Sequence, residues 1–338
     1  MVKIDVKDRK ILYELDLDAR QSLTQIGKKV GLKKDVVSYR VQRLQEEGVI
    51  KNFWTAINTF KLGYNVFRLY INFHYINIQI KDDIIQYFTD YKNVWAVASV
   101  KGPIDLDVIM WVNNICEFYN FWDKALEKYE DYFEKYTISI YIKAVGYKKS
   151  YLLEEFDKSD RKMYEAVCDG TAVNIDDIDY TLLNELAINA RISLIDLAEK
   201  LDCSSQTINY RIKNLIKKGI IQAFRVNIDR SKLGLQLFKV DIFLKEYKQR
   251  KNIIKYLDHG GYIECLNVSA GWSDIEPELV VENMDKLIQL MEKINNEFPN
   301  AIRKLDYWIM TEVHKERWLP ELFSQFTRTE SHREKNIL

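Results

Sequence analysis

Residues 34–50 read KDVVSYRVQRLQEEGVI, and the spacing of their apolar positions decides how the first part of the chain folds. Val37, Val41 and Leu44 fall on one stripe of a helix over 34–47. Gly48 follows at the place where a helix gives way to a left-handed residue. Val49 to Ile57 then alternates like a strand. Working upstream, Leu23, Ile26 and Val30 share a face over 22–30, with Ser22 placed to cap the first turn. Ile11, Leu12 and Leu15 share another over 7–16. Two helices joined by the short turn Gly31-Leu32 and followed by a β-ribbon predict a winged helix-turn-helix, whose second helix of the pair enters the major groove. The free face of that helix carries Asp35, Ser38, Tyr39 and Gln42. Lys33, Lys34, Arg40 and Arg43 flank it, and Lys51 follows on the strand. Short polar groups reach base edges and cations reach phosphates, so these are the candidate DNA contacts.

The same pattern occurs twice. Displaced by 171 positions, residues 8–67 fall on 179–238 without a gap, and about a third of the positions are identical. Asp8, Leu12, Glu14, Leu15, Ala19 and Arg20 recur as Asp179, Leu183, Glu185, Leu186, Ala190 and Arg191. Tyr39-Arg40, Leu44 and Gly48 recur as Tyr210-Arg211, Leu215 and Gly219. The chain is therefore a duplication. The second copy presents Ser204, Ser205, Gln206, Asn209, Tyr210, Arg211, Lys213 and Lys217, with Arg225 on its strand. Farther on, Gly102 to Asp107 meets Gly271 to Glu276 at a displacement of 169.

Between the winged helices, alternation over 66–76, a helix over 81–91, strands over 94–100 and 105–112, a long aromatic helix over 115–135 and alternation over 137–147 give the order βαββαβ. Copy two repeats it from 237 to about 313. The expected fold class is α+β, a tandem repeat of a winged helix-turn-helix and a ferredoxin-like domain. The expected domains are 1–60 and 176–231 for DNA binding, 61–150 and 232–322 for the ferredoxin-like units, a linker at 151–175 and a tail at 323–338. The linker lacks strand alternation and reads as carrying at most a short helix before Gly170.

These residues resemble the Lrp/AsnC family, the feast/famine regulators. The family helix reads roughly S-x-x-T-V-x-x-R-V-x-R-L-x-x-x-G-V-I. Copy one matches it at Val37, Arg40, Val41, Arg43, Leu44, Gly48, Val49 and Ile50. Copy two matches at Ser204, Thr207, Ile208, Arg211, Ile212, Leu215, Gly219, Ile220 and Ile221. Departures stand at Lys33 and Val36, and at Asn214, where the family prefers arginine; Asn214 is read as one phosphate contact fewer. The resemblance implies sequence-specific binding to double-stranded DNA and control of transcription. It also implies that the ferredoxin-like domains self-associate face to face and sense a small amino-acid-like effector. One chain carries both halves, so an intramolecular pseudo-dimer is expected, with Phe67, Leu69, Ile71 and Phe73 meeting Phe238, Val240, Ile242 and Leu244. The family's effector lies near a Gly-x-x-Asp turn, here Gly102 and Asp105, and Gly271 and Asp274.

Net charge is zero, with 50 basic and 50 acidic residues, which excludes a protein that grips phosphates with its whole surface. Cys116, Cys168, Cys203 and Cys265 show no CxxC spacing, and the four histidines are scattered, so neither a metal site nor a cofactor is expected. No apolar run reaches the length of a membrane span and no leader pattern opens the chain, so a cytoplasmic place is expected. No catalytic motif is found, and the chain reads as a non-enzyme. The alternative is a sirohaem decarboxylase-like enzyme, since such enzymes resemble this family and occur as fused pairs. They carry a His-Asn-Tyr-like stretch where this chain has Ala96-Val97-Ala98-Ser99 and Asn267-Val268-Ser269-Ala270.

Overall fold

The computed structural model describes residues 3–320; the tail expected over 323–338 lies outside the described residues. The first unit opens with α1 (Val6–Leu17), α2 (Leu23–Val30) and α3 (Lys34–Glu46). Asp5 and Ser22 cap α1 and α2 through reciprocal capping boxes with Asp8 and Gln25, which satisfy the orphan N–H groups of the first turns. Gly31, in the left-handed region at φ 69°, ends α2 and sets the tight turn into α3. A strand, β1 (Ile50–Ile57), follows. After it come β2 (Asn65–Phe73), α4 (Ile78–Asp90), β3 (Val94–Lys101), β4 (Leu106–Val112), α5 (Ile115–Tyr129), β5 (Phe133–Tyr147) and β6 (Lys162–Val167). The second unit repeats the order as α6 (Asp177–Ile188), α7 (Leu194–Lys200), α8 (Ser205–Lys217), β7 (Ile221–Ile228), β8 (Gln236–Leu244), α9 (Arg250–His259), β9 (Ile263–Ala270), β10 (Glu276–Val281), α10 (Met284–Glu297) and β11 (Ile302–Glu316).

The ribbon after each helix triplet is built differently from the expectation. No unit folds a hairpin wing of its own from β1 or β7. Instead the two strands pair antiparallel across the copies, with Phe53 opposite Val226, Thr55 opposite Phe224 and Ala56 opposite Ala223. A lone strand leaves backbone donors and acceptors unpaired, and the duplicate supplies them. The Ala-Arg pairs that end α1 and α6 clasp the same seam. Arg20 donates to the carbonyls of Ala190 and Ile192 at 2.7 and 3.0 Å, and Arg191 donates to those of Ala19 and Gln21. The amides of Ala19 and Ala190 donate reciprocally to Phe224 and Phe53 at 2.8 and 2.9 Å.

The remaining strands form a nine-stranded antiparallel sheet in the order β2-β4-β3-β11-β8-β10-β9-β5-β6, with β2 and β5 also paired. All strands but β6 therefore close into a ring. The long strands β5 and β11 make the closure, each beginning in its own unit and ending beside β9 or β3 of the other.

The apolar faces do not meet as expected. Phe67, Leu69 and Ile71 pack under α4 and α5, in one core with Ile84, Phe88, Phe118, Phe121 and Trp122. Phe238, Val240, Ile242 and Leu244 pack under α9 and α10. Two amphipathic helices need an apolar sheet face beneath them, and a strand offers one such face. The alternate positions, Arg68 and Tyr70 of β2 and Lys239 and Asp241 of β8, turn into the ring instead. There Arg68 binds Asp107 through two hydrogen bonds of 2.6 and 2.7 Å and donates to the Tyr141 hydroxyl at 2.7 Å. Lys239 pairs with Asp241 and with Glu276, the latter at 2.9 Å, and the Trp308 indole donates to Asp241 at 2.8 Å. The two copies thus meet through a buried polar network, and its charges are tolerated because each is paired.

The segment expected to be a linker without strands contains β6, which pairs with β5. Its acidic flanks hide a short run, Met163-Tyr164-Glu165-Ala166, whose Tyr164 ring fills the place a side chain on Gly146 would take.

Candidate nucleic-acid interface

Both reading helices present a free face. On α3 the apolar stripe Val37, Val41 and Leu44 is buried, while Lys33, Lys34, Asp35, Ser38, Tyr39 and Gln42 are exposed. On α8 the stripe is Ile208, Ile212 and Leu215; Ser204, Gln206, Tyr210, Lys213 and Lys217 are exposed, and Ser205 and Asn209 half-buried. Tyr39 and Tyr210 occupy equivalent positions and are 66% and 70% exposed, the kind of projection a core would not tolerate. Lys51 is exposed beside the ribbon's end.

The arginines have other work. Asp8, buried at the start of α1, accepts from Arg40 at 2.8 Å and from Arg43 at 2.6 Å, and Asp5 also holds Arg40. These pairs fix α3 across α1. Its hydrogen bonds to Asp5 and Asp8 hold the Arg40 guanidinium above its ordinary pKa. In copy two Asp179 and Asp176 hold Arg211 in the same way, at 2.7 and 2.8 Å. Asn214 stands where copy one has Arg43, so the departure at 214 removes a second ion pair to the first helix rather than a phosphate contact.

Arg225 corrects the sequence reading outright. It is 2% exposed and holds Asp16 through two hydrogen bonds of 2.9 Å while donating to the Tyr147 carbonyl at 2.6 Å. Burial works most strongly against its charge, but Asp16, Tyr164 and Glu264 together keep the guanidinium above its ordinary value. The network continues through Lys149, 3.5 Å from Asp16 and 2.6 Å from Glu264, to Arg230 and Tyr151, which also hold Glu264. It joins the ribbon to β9, and Arg225, Lys149 and Glu264 are buried within it. Alternation along β7 could have exposed the error, since Arg225 shares a face with Ala223.

The two helices also differ at their starts. Ser204 caps α8 by accepting from the Thr207 amide at 3.1 Å, whereas Lys33 gives α3 no side-chain cap. Lys33→Ser is therefore expected to raise stability by about 1 kcal/mol, read as a higher urea midpoint with an unchanged slope.

The Gly-x-x-Asp turns carry structural duties. A Cβ on Gly271, at φ 102°, would lie 2.6 Å from the carbonyl oxygen of Ile138 in the other copy. Gly102 lies as closely against Trp308 and Tyr307. Asp105 accepts from the Phe73 amide at 2.9 Å and Asp274 from the Leu244 amide at 2.7 Å.

A protein-family model for winged helix-turn-helix DNA-binding domains matches residues 4–51 and again 175–222. The transcriptional regulator FL11 of Pyrococcus furiosus is 31% identical over 124 residues, which cover 36% of this chain and 78% of that protein. The regulator LrpA of Pyrococcus horikoshii is 43% identical over 63 residues, 19% of this chain and 45% of that one. Among solved structures, the siroheme decarboxylase NirDL aligns with a TM-score of 0.64 at 11% identity, covering 96% of this chain and 97% of that one; this likeness is one of fold. Two exposed helices of this type define a DNA-binding transcriptional regulator. The chain belongs to the Lrp/AsnC family. Among the described residues, no helix is long and apolar enough to cross a membrane.

Proposed function

We propose that a single chain works as a pseudo-dimer, reading two half-sites of double-stranded DNA with α3 and α8 under the control of a small-molecule effector. The observation that carries this reading is the shared β1–β7 ribbon with its reciprocal Arg20 and Arg191 clasps, which ties both reading helices to one rigid element. Such helices address major grooves about 34 Å apart, or multiples of it. The direct contacts are assigned to Ser38, Tyr39 and Gln42 on α3 and to Gln206, Asn209 and Tyr210 on α8. Lys33, Lys34, Lys51, Lys213 and Lys217 are assigned to phosphates. Because VVSYRVQR and TINYRIKN differ, the operator is an imperfect palindrome. Selection of bound fragments from random DNA is expected to return two unlike half-sites. A perfect palindrome of either half that binds as tightly as the selected site contradicts this reading.

We assign the chain no catalytic step. The NirDL structure determined with an iron-uroporphyrin III analogue concerns a polycarboxylate macrocycle. An apolar cleft between ribbon and ring is lined by Trp, Tyr, Ala and other uncharged residues, and its lining offers no His, Lys or Arg to hold carboxylates. Mixing with sirohaem is expected to leave the macrocycle's visible spectrum unchanged; a saturable shift contradicts the assignment.

A further inference from the structure

The duplication gives every position at the seam between ribbon and ring a counterpart, and in one place the copies have parted. The displacement of 171 sets β1 on β7, and that of 169 sets β3 on β9. Trp54 therefore answers to Arg225, Thr59 to Arg230 and Trp95 to Glu264. Past β5 and β11 the displacement is 167, and Trp318-Leu319 answers to Tyr151-Leu152, each leucine entering the core of a winged-helix unit. On one side of the seam stand the ion pairs of Asp16, Arg225, Lys149, Glu264 and Arg230. On the other lies an apolar cleft.

Four of the chain's seven tryptophans line this cleft. Trp54 stacks on Trp318 at 4.1 Å, and Trp95 stacks on Trp111 at 5.4 Å and meets Trp318 edge-on at 6.2 Å. Tyr141 and Tyr164 close the floor. Among the cleft's lining residues, two buried polar atoms lack protein partners: the indole N–H of Trp111, a residue 1% exposed, and the side-chain oxygen of Gln222. Leaving such a group unpaired costs about 1–3 kcal/mol, a cost a core avoids and a ligand removes. Aromatic walls with a few convergent polar groups are the usual make-up of a small-molecule site.

We propose that this cleft binds an uncharged, planar aromatic heterocycle that accepts a hydrogen bond from Trp111 and donates one to Gln222. An anion would find no lining cation, and an aliphatic guest would forgo stacking on the indoles. Trp54 and Gln222 belong to the ribbon that carries both reading helices, while Trp95, Trp111 and Tyr141 belong to the ring. Occupancy therefore acts on the spacing of α3 and α8; this second step rests on the DNA-reading function proposed above.

The probe is 4-quinolone, whose ring N–H and carbonyl supply both bonds, titrated calorimetrically into the full chain with cyclohexylmethanol as the aliphatic control. Saturable binding of the quinolone alone is expected. Trp95→Glu, which installs the residue of the other copy, is expected to weaken it about tenfold or more. Trp111→Phe keeps an aromatic wall and removes the donor, and is expected to weaken it about threefold to tenfold while the circular dichroism stays that of the parent. No saturable heat, equal binding of the aliphatic alcohol, or parent-like binding by both variants overturns the site. Quinolone is further expected to change DNA affinity about threefold or more. Binding of both quinolone and DNA with no such change overturns the coupling alone. A parent chain that binds no DNA overturns the function proposed above and leaves the calorimetry to decide the site.

Discussion

A chain carrying Glu264→Ala is expected to unfold about 3–5 kcal/mol more easily than the parent, the cost of stripping a buried cation pair of its counter-charge. Glu264 is 8% exposed and holds Lys149 at 2.6 Å, Arg230 at 2.6 and 2.9 Å and the Tyr151 hydroxyl at 3.1 Å. Without it, Lys149, Arg225 and Arg230 face Asp16 alone. The cost comes from stranded charge rather than from a missing carboxylate, because Trp95 fills the equivalent place without harm once its neighbours are also apolar. Adding Arg230→Thr, the residue copy one carries at Thr59, returns the balance to two cations against one carboxylate and is expected to recover part of the loss. Strict additivity of the two changes in urea unfolding contradicts this account.

The same group sets a pH dependence. Burial raises the Glu264 carboxyl, but Arg230 and Lys149 outweigh burial and leave it well below the ordinary carboxylate range. A carboxyl depressed in the folded state stabilises fully above its unfolded value of about 4.3, and that contribution drains as pH falls below it toward the folded value. Parent stability is thus expected to drop through this acid window more steeply than that of Glu264→Ala.

Replacing Lys33, Lys34, Lys213 and Lys217 together with alanine is expected to flatten the salt dependence of DNA affinity, lowering the log–log slope by about 4. Between 50 and 200 mM salt, the variant's affinity is then expected to fall about a hundredfold less than the parent's. All four side chains are exposed, so the fold is expected to stay at parent stability. Arg40→Ala makes the opposite case. It strips Asp8 of a 2.8 Å partner and is expected to act on stability while leaving the slope within about one unit. An unchanged slope in the lysine variant contradicts the assignment of these faces to phosphates.

The helices, the duplication and the strand order were legible because each rests on local periodicity repeated twice. Ser22 and Gly31 announce their caps and turns in the sequence, and Val37, Val41 and Leu44 lie on the buried stripe their spacing requires. Partnering between copies was less legible. Phe67 and Phe238 alternate correctly, but alternation does not say whether helices or the other sheet will cover a face. A single strand after Gly48 gives no sign that its partner lies 171 residues away. Arg225 reads as a phosphate contact because basic residues on a ribbon usually point outward; its place on the face of Ala223 hints at burial, and its buried neighbour Asp16 discloses its task. The tryptophan cleft left a trace, for Trp54 and Trp95 stand where copy two has Arg225 and Glu264, and Trp318 of copy two stands where copy one has Tyr151.

The central claim is that one chain places two reading helices on one DNA duplex. Hydroxyl-radical footprinting of the selected operator, at a stoichiometry fixed by the mass of the complex, tests it most directly. One bound chain is expected to protect two half-sites on the same face, about 34 Å apart or a multiple of that. Protection of a single half-site by one chain, or of two only when two chains are bound, contradicts the account.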